Sequence, residues 1–505
     1  MDGTRVRVLR DIDKWIMDQT APQIFWIAGM AGTGKSAIAW TVCSRARDDP
    51  GLVLGGSFFC SRSAGSVAQR NVRCVVPTMA QLLARQSQKF SAALADELAR
   101  DPDVLHKQIT AQVKQLLYKP LLSLKDSRVP VLFVIDALDE CGGQTSAGES
   151  DDTESHRIVS EMLEALVAFS SPSDKLPVKF LVTSRPETHI RDTPVSDEAF
   201  STVLRLHTIN KEQVTADIRL YISKRLSSSP QLRARFTGDD VDLLARLCDG
   251  LFIVAATALQ HALGAGIDAA AVRFKTLLNS TRDGLSTGAA APLDRMYTMI
   301  LMSATLVDEL EATKATERSS MLRLLASLLC ARMMLSVTAL ADLTDQPIEC
   351  VRASLSRLHA VIYVPDDDDE PGVRTLHASF GDYMFGRAPS HYRISNFLGH
   401  NILARGCLQR MKRADLCFNM TRNQSSFAVN APTTTHYIAS SLVYACLHWA
   451  HHIAAASTPS ELDLYIEKVF WPKFLFWLEV LSVLGKLGVA SGLLRIAEST
   501  VSLIL

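Results

Sequence analysis

Several features that would assign this chain to a special class of proteins are missing from its sequence. Lys and Arg together number 53, as do Asp and Glu, so no net charge favours nucleic acid or an acidic partner. The longest apolar stretches, residues 251–271 and 474–489, are interrupted by polar and charged side chains, which predicts buried helices and no membrane span. No internal repeat of solenoid or propeller period is present.

The cysteines and the N-terminus argue against a secreted protein. Ten cysteines are scattered without a CxxC pair or a regular framework, which predicts reduced thiols in an intracellular, and most simply cytoplasmic, protein. The first residues include Asp2, Asp11 and Asp13 and no apolar segment, so we expect no signal peptide.

The motif around which the chain is organised is GMAGTGKS at residues 29–36. An apolar run of strand length, residues 23–28, precedes it, and apolar residues at helical spacing follow it. In this context glycines let backbone N–H groups surround a phosphate at a helix N-terminus. A glycine-rich turn that binds nothing is the alternative, but the complete motif is specific. The residues predicted to bind the nucleotide are Gly29, Gly32, Thr33, Gly34, Lys35 and Ser36.

Carboxylates follow a second apolar strand at residues 131–135. Because ligands bind at the carboxyl ends of strands in open α/β sheets, we expect Asp136 to hold Mg²⁺ together with Ser36. Asp139 and Glu140 are predicted to orient or activate a water near the γ-phosphate, which Lys35 would also contact. A solvated loop after a buried strand is the alternative, which the phosphate loop upstream disfavours.

A third apolar strand, residues 178–184, is followed directly by Arg185. Arg185 is predicted to point at the γ-phosphate and report its presence, because this strand end meets the same sheet edge as the phosphate loop. Pairing with a local carboxylate such as Glu187 is the alternative. The alternation of strands and helices predicts an α/β P-loop NTPase fold, a parallel sheet with helices on both faces.

After about residue 205 the apolar pattern becomes helical. Two short strands around an acidic turn at residues 366–370 suggest a winged helix, and we interpret the turn as a solvated hairpin because no basic recognition face accompanies it. We predict a nucleotide-binding domain at residues 1–205, a helical domain at 206–290, a winged-helix domain at 291–390 and a C-terminal helical region at 391–505.

A histidine-rich stretch near the C-terminus could be a metal cluster. It contains Cys446, His448, His451 and His452. No second matching ligand pair appears, so we favour a packing or surface role.

Five segments in order, GMAGTGKS, VLFVIDALDE, KFLVTSRPE, CDGLFIVAAT and TLHASFGDYM, resemble the NACHT subgroup of STAND nucleotide switches, specifically the fungal NLR-like proteins. The acidic pair Asp139 and Glu140 after Asp136 is the feature most particular to NACHT. The resemblance covers about residues 5–390. It implies an ATPase core, a helical domain and a winged helix that close over ADP, and that open and oligomerise when ATP replaces ADP.

The resemblance also implies that His377, in the last segment, contacts the β-phosphate of ADP; a satisfied core histidine is the alternative. The family commonly has a Gly-x-Pro whose proline lies against the adenine, whereas this chain has Gly250-Leu251-Phe252, which leaves the choice between ATP and GTP open. Effector and repeat domains that usually flank the core are not recognised, so we expect a fragment, a truncated gene model or a core that works through partners.

The expected function is an ATP/ADP-binding switch with slow hydrolysis and Mg²⁺ as its metal. We expect a homo-oligomer in the ATP state and unknown protein partners for sensing and output. One alternative is an ATPase or phosphotransferase with continuous turnover, for which no acceptor-substrate site is recognised. The other is a scaffold locked to its nucleotide, which the intact GKS and DALDE segments disfavour.

Overall fold

The computed structural model describes residues 3–61, 67–127, 129–141, 151–167, 169, 176–196, 201–227, 236–263, 275, 292–305, 311–365, 372–420, 438–456 and 466–500. The Cα positions group into two compact units, one ending at Met296 and the other beginning at Tyr297. The division into four domains stays a prediction.

The first unit is built on a five-stranded sheet. Its strands are β1 (Ile24–Ala28), β2 (Val53–Phe59), β3 (Val131–Asp136), β4 (Val178–Ser184) and β5 (Ser201–Arg205). Their order across the sheet is β2-β3-β4-β1-β5, and all neighbours are parallel. The three central strands are buried along their whole length, which explains why their sequences are apolar without alternation. This confirms the predicted α/β fold.

Helices cover both faces of this sheet. They are α1 (Val6–Met17), α2 (Lys35–Asp48), α3 (Val75–Ala84), α4 (Gln88–Arg100), α5 (Ile109–Gln112), α6 (Lys119–Leu121), α7 (Asp151–Val167) and α8 (Thr188–Arg191). Three further helices follow β5 in this unit: α9 (Lys211–Ser227), α10 (Gly238–Leu247) and α11 (Phe252–Leu263). A π-helical stretch, Val113–Tyr118, joins α5 to α6. Each face of the sheet has its own hydrophobic core, because successive strand residues point to opposite faces. Phe25 packs with α1 and α2 on one face, and Trp26 packs with α3, α4 and α7 on the other.

The strand order is what brings the predicted site residues together. β4 lies between β1 and β3, with Ala28 opposite Ser184 and Ile135 opposite Val182. The carboxyl ends of these three strands therefore meet at one edge of the sheet, where ligands bind in open α/β folds. The edge strand β5 was not predicted from the sequence, because it is short, only half-buried and begins with Ser201 and Thr202.

One prediction about the cysteines is wrong. Cys60 and Cys141, which are 81 residues apart, form a disulfide with their Cα atoms 5.4 Å from each other. Cys60 follows β2 and Cys141 follows the turn after β3, and the adjacent strands bring the two residues together. The remaining eight cysteines, all within the described residues, are thiols as predicted.

The second unit is mainly helical. Its helices are the part of α12 (Pro292–Thr305) after Met296, then α13 (Glu311–Cys330), α14 (Val337–Thr344), α15 (Ile348–Ser356), α16 (Ala378–Asp382), α17 (Asn396–Lys412), α18 (Ser440–Ala454), α19 (Trp471–Val483) and α20 (Ala490–Thr500). The strands β6 (Ile362–Tyr363) and β7 (Arg374–Thr375) pair antiparallel. The predicted acidic turn lies outside the described residues, and the winged-helix assignment stays a prediction. Within the described chain, no helix combines the length and apolarity needed to cross a membrane.

The histidine-rich stretch forms a packing network in this unit. His452 is fully buried; its Nε2 lies 2.7 Å from the Tyr444 hydroxyl and its Nδ1 lies 2.9 Å from Nδ1 of His400. Cys446 is also fully buried. Among the residues that the structure describes, no three metal ligands converge in this stretch.

Candidate functional site

The loop between β1 and α2 has the backbone conformation that its glycines permit. Gly32 has φ +79° and Gly34 has φ +93°, both in the left-handed region that favours glycine. A Cβ atom on Gly32 would also lie 2.0 Å from Cγ2 of Ile253, so a side chain does not fit there. The Ile253 N–H donates to the Gly32 carbonyl oxygen across 3.2 Å. The first turn of α11 therefore packs directly on this loop.

Lys35 is held inside the same loop. Its side chain is buried, and Nζ donates to the carbonyl oxygens of Gly29 at 2.7 Å and Met30 at 3.1 Å. The Thr33 hydroxyl also donates to Met30 O, at 2.8 Å. Burial lowers the pKa of Lys35, against the opposing charge of Asp139. An anion placed beside the ammonium group would therefore be bound more strongly than it would be in water.

Asp136, at the end of β3, is oriented by the hydroxyl group of Thr183. It is 2% exposed, and Oδ1 accepts a hydrogen bond of 2.6 Å from Thr183. The Thr183 oxygen in turn accepts from the N–H of Ala137, which has φ +53°. Burial raises the pKa of Asp136, and hydrogen bonds from Thr183 and Ser36 oppose that rise. Ser36 therefore lies near Asp136, as is expected of two Mg²⁺ ligands.

Buried Asp139 and partly buried Arg185 form an ion pair beside these groups. Asp139 Oδ1 accepts from the backbone N–H of Arg185 at 2.9 Å, and Oδ2 lies 3.2 Å from Arg185 Nε. Sequence reasoning considered Glu187 as a partner for Arg185 and did not consider Asp139. Glu140 is the last residue of the 3₁₀ turn that contains Asp139, and it is partly exposed. The contacts of Asp139, Glu140 and Arg185 with a water or a γ-phosphate stay predictions.

Arg5 is a site residue that sequence reasoning missed. It is 6% exposed, and Nη2 donates to the carbonyl oxygen of Thr33 at 3.0 Å. Its backbone N–H donates to Asp217 on α9, and its guanidinium carbon lies 5.1 Å from the centre of the Phe252 ring. Arg5 therefore links the phosphate loop to α9 and α11. No local spacing marks this residue, because its partners are distant in the sequence.

His377 belongs to the second unit, whereas the other predicted site residues belong to the first. Its ring caps α16, with Nδ1 accepting from the Ser379 N–H at 3.1 Å. The Ser379 hydroxyl lies 2.6 Å from the same nitrogen and 2.9 Å from the Tyr297 hydroxyl. The contact of His377 with a nucleotide stays a prediction.

Comparison with known families gives one match. Residues 3–185 match the family model described as Nephrocystin 3, N-terminal. The match begins before α1 and ends at Arg185, so it includes the phosphate loop and the carboxylates but well under half of the chain. No curated protein matches the chain.

Solved structures similar to the chain are distant. A STAND ATPase with a tetratricopeptide repeat sensor from Pyrococcus horikoshii is 13% identical with a TM-score of 0.36; the match covers 98% of this chain and 63% of that protein. The ADP form of Aeropyrum pernix ORC2 is 13% identical with a TM-score of 0.31, covering 70% and 83%. A Walker-type ATPase of Pyrococcus abyssi is 11% identical with a TM-score of 0.29, covering 75% and 94%. At these TM-scores the similarity carries no argument about function.

Proposed function

We propose that the chain is an ATP/ADP-dependent switch of the STAND class and NACHT type, with slow hydrolysis and self-association in the ATP state. The position of Lys35 carries this proposal. Its ammonium group is held by two carbonyl oxygens of the phosphate loop, which phosphate oxygens can replace at a net gain in charge pairing. Ser36 and Asp136 would hold Mg²⁺, which when bound would neutralise phosphate charge.

Arg185 would have two alternative partners, the Asp139 carboxylate and a γ-phosphate. In one arrangement, the one the structure shows, Arg185 is held by Asp139. A γ-phosphate within reach would compete with Asp139 for the guanidinium group, because both are anions that pair with it. Hydrolysis would require Arg185 to leave Asp139 first, because a carboxylate paired with a guanidinium group is a poor acceptor for a water proton; this additional step supports slow hydrolysis. If Arg185 binds the γ-phosphate of ATP more strongly than it binds Asp139, ATP would shift the equilibrium towards the arrangement in which Arg185 contacts the phosphate.

The contacts of the phosphate loop offer a route from the nucleotide to the helices. Gly32 packs on Ile253, and Arg5 connects Thr33 to Phe252 and Asp217. A shift of the loop on exchanging ADP for ATP would therefore displace α9 or α11, since packed interfaces change in discrete steps. We also propose that His377 contacts the β-phosphate of ADP. Unknown protein partners serve sensing and output, and the protein is intracellular.

The decisive experiment measures the nucleotide content of the purified chain, followed by exchange and hydrolysis after adding ATP and Mg²⁺. We expect bound ADP, slow exchange and turnover well below about one per second, a rate ordinary for kinases. Faster multiple turnover would favour a continuous ATPase. Bound ADP that never exchanges would favour a locked scaffold, and an empty site that takes up no nucleotide would refute all three functions.

A matched pair of variants connects that result to the site. Lys35→Ala removes the buried ammonium, whereas Arg45→Ala removes a half-exposed cation from the same helix, where it pairs with Asp13. We expect the first variant to lose nucleotide binding and the second to retain it. Full ATP affinity in Lys35→Ala would contradict the assignment of this loop.

A further inference from the structure

Two histidines and a glutamate converge at the carboxyl end of β4. His156 lies on α7, and Glu187 and His189 lie at the start of α8. One ligand atom from each can be chosen so that all three lie within 4.8 Å of one another. The two imidazole rings are stacked with their centres 3.8 Å apart, and His189 Nδ1 lies 3.8 Å from Glu187 Oε2. In the described parts of the chain, no other such group of three converges.

The backbone around these side chains is fixed by its own contacts. The Ser160 hydroxyl lies 2.9 Å from the carbonyl oxygen of His156 and 2.7 Å from that of His189, so it joins α7 to α8. Ile190, fully buried, anchors α8 in the core, and its N–H donates to the carbonyl oxygen of Glu187. The ligands therefore come from two packed elements, which is the arrangement that gives a metal site its precision.

The distances and the donor set suit one class of ion. Two imidazoles and one carboxylate are a common set of three protein ligands for Zn²⁺, with a fourth position left for water or another ligand. With bonds of about 2.0–2.1 Å, donors in a tetrahedral site lie about 3.3 Å apart. The His189 and Glu187 atoms, 3.8 Å apart, reach that value through small side-chain rotations. The two imidazole rings, which stack at 12°, must turn so that a nitrogen lone pair of each points at one position. Mg²⁺ and Ca²⁺ prefer oxygen donors and are disfavoured by two histidines.

We propose that His156, Glu187 and His189 form a Zn²⁺ site, and that the bound ion fixes the segment that follows β4. Arg185 lies two residues before Glu187 in this segment, so Zn²⁺ holds Arg185 next to Asp139. The consequence is slower exchange of ADP for ATP when Zn²⁺ is bound. This effect on exchange rests on the proposed function, whereas the metal site does not.

The metal site is tested with the full chain and metal alone. Exposed thiols at Cys350 and Cys417 could also bind zinc, so all proteins carry Cys350→Ser and Cys417→Ser. We expect one Zn²⁺ per chain by calorimetry, and Co²⁺ in its place with the visible absorption of a tetrahedral nitrogen and oxygen site. Loss of either histidine should weaken binding at least about 100-fold, since even outer partners of a ligand contribute about 10–100-fold.

Three variants and one control make the result specific. His156→Ala and His189→Gln remove one ligand each from different elements, and Glu187→Gln keeps the shape but removes the charge. His207→Ala removes an exposed histidine outside the cluster and should leave binding unchanged. The variants are compared with the parent by thermal melting without metal, so that a folding defect is seen separately. Binding of Zn²⁺ that is equally strong in folded His156→Ala and His189→Gln would overturn the site.

A second measurement separates this proposal from the function proposed above. Zn²⁺ binding is repeated in Lys35→Ala, where it should persist, because Lys35 is not a ligand. The rate of ADP release is then measured with and without Zn²⁺ in the parent and in His189→Gln. We expect slower release with Zn²⁺ in the parent alone. Zn²⁺ binding with unchanged ADP release would overturn the effect on Arg185, and absence of nucleotide binding in the parent would refute the switch while the Zn²⁺ result stands.

Discussion

The two units of the molecule bury positive charge in different ways. In the first unit, Lys35 is held by backbone carbonyl oxygens of its own loop, beside the carboxylates of Asp136 and Asp139. In the second unit, Arg410 is 3% exposed and pairs with Asp342 and Asp415. The charge of Arg410 is thus neutralised within the protein, whereas that of Lys35 is held by neutral dipoles in a glycine loop.

This difference separates a structural role from a binding role. A buried cation that is completely paired is costly to remove, because its partners are left as unpaired charges. A buried cation held by carbonyl oxygens is a site that an anion improves. Burial of a charge by itself therefore does not identify a functional residue, whereas burial together with replaceable partners does.

The largest expected effect concerns the nucleotide. Lys35→Ala should weaken ADP and ATP binding at least about 100-fold, since two hydrogen bonds from a charged group are worth about 1.5–3 kcal/mol each. Its melting temperature without nucleotide should stay close to that of the parent. Calorimetric titration with ADP and thermal melting check the two statements. A large loss of stability with little loss of affinity would make Lys35 a structural residue like Arg410.

The second effect concerns stability. Arg410→Ala should lower the free energy of unfolding by about 2–3 kcal/mol, because the variant loses the hydrogen bonds of the buried guanidinium group to two carboxylates, of which Asp342 keeps Arg413 as a partner and Asp415 is half-exposed. Arg413→Ala is the control: Arg413 also pairs with Asp342 but is half-exposed, so its loss should cost less than about 1 kcal/mol. Urea denaturation measures both. Equal losses in the two variants would show that burial of Arg410 adds nothing.

A smaller effect is expected at the end of β3. Thr183→Val should cost about 1–3 kcal/mol of stability, because the Asp136 carboxylate and the Ala137 N–H both lose a partner. Thr344→Val is a matched control in the second unit. The buried Thr344 hydroxyl donates to the Leu340 carbonyl within a helix, and its loss should cost less than about 1 kcal/mol. A cost for Thr183→Val no greater than that of the control would contradict this interpretation.

The smallest expected effect is a pH dependence in the second unit. Burial lowers the pKa of His400 and of His451 from 6.5 to about 4. Between these values the unfolded chain binds more protons than the folded chain, so stability falls as the pH decreases from about 6.5 towards 4. Each histidine should contribute a loss of about 1 kcal/mol between pH 8 and pH 6.

A histidine variant checks the source of this pH dependence. His451→Gln should remove about a third of the effect measured by urea denaturation at both pH values, because burial also lowers the pKa of His452, which contributes together with His400. A pH dependence that is unchanged in His451→Gln would mean that His451 does not titrate as its burial implies.

Much of the first unit could be predicted because its patterns are local. The phosphate loop is defined by residues within eight positions, and the central strands are marked by continuous apolar runs. The edge strand β5 was missed, because its strand state depends on pairing with β1 and its own sequence is half polar. The disulfide between Cys60 and Cys141 was missed because the two residues meet only through neighbouring strands.

The residues of the site were likewise predicted only where a local pattern marks them. The sequence identified Lys35, Asp136 and Arg185 by their motifs and their positions at strand ends. It assigned no role to Thr183, and it gave no sign of Arg5, whose partners are 28 and 212 residues away. The role of a polar residue depends on which groups surround it, and that information is not carried by its immediate neighbours in the chain.

The sequence by itself determined the parallel sheet, the phosphate loop and the strand ends at which charged residues would gather. These follow from hydrophobic periodicity and glycine conformation, which act over a few residues. The tertiary structure decided that Arg185 pairs with Asp139 and that His156 meets Glu187 and His189. These contacts join residues tens of positions apart, and their distances are fixed by packing of whole elements, which no short segment of the chain specifies.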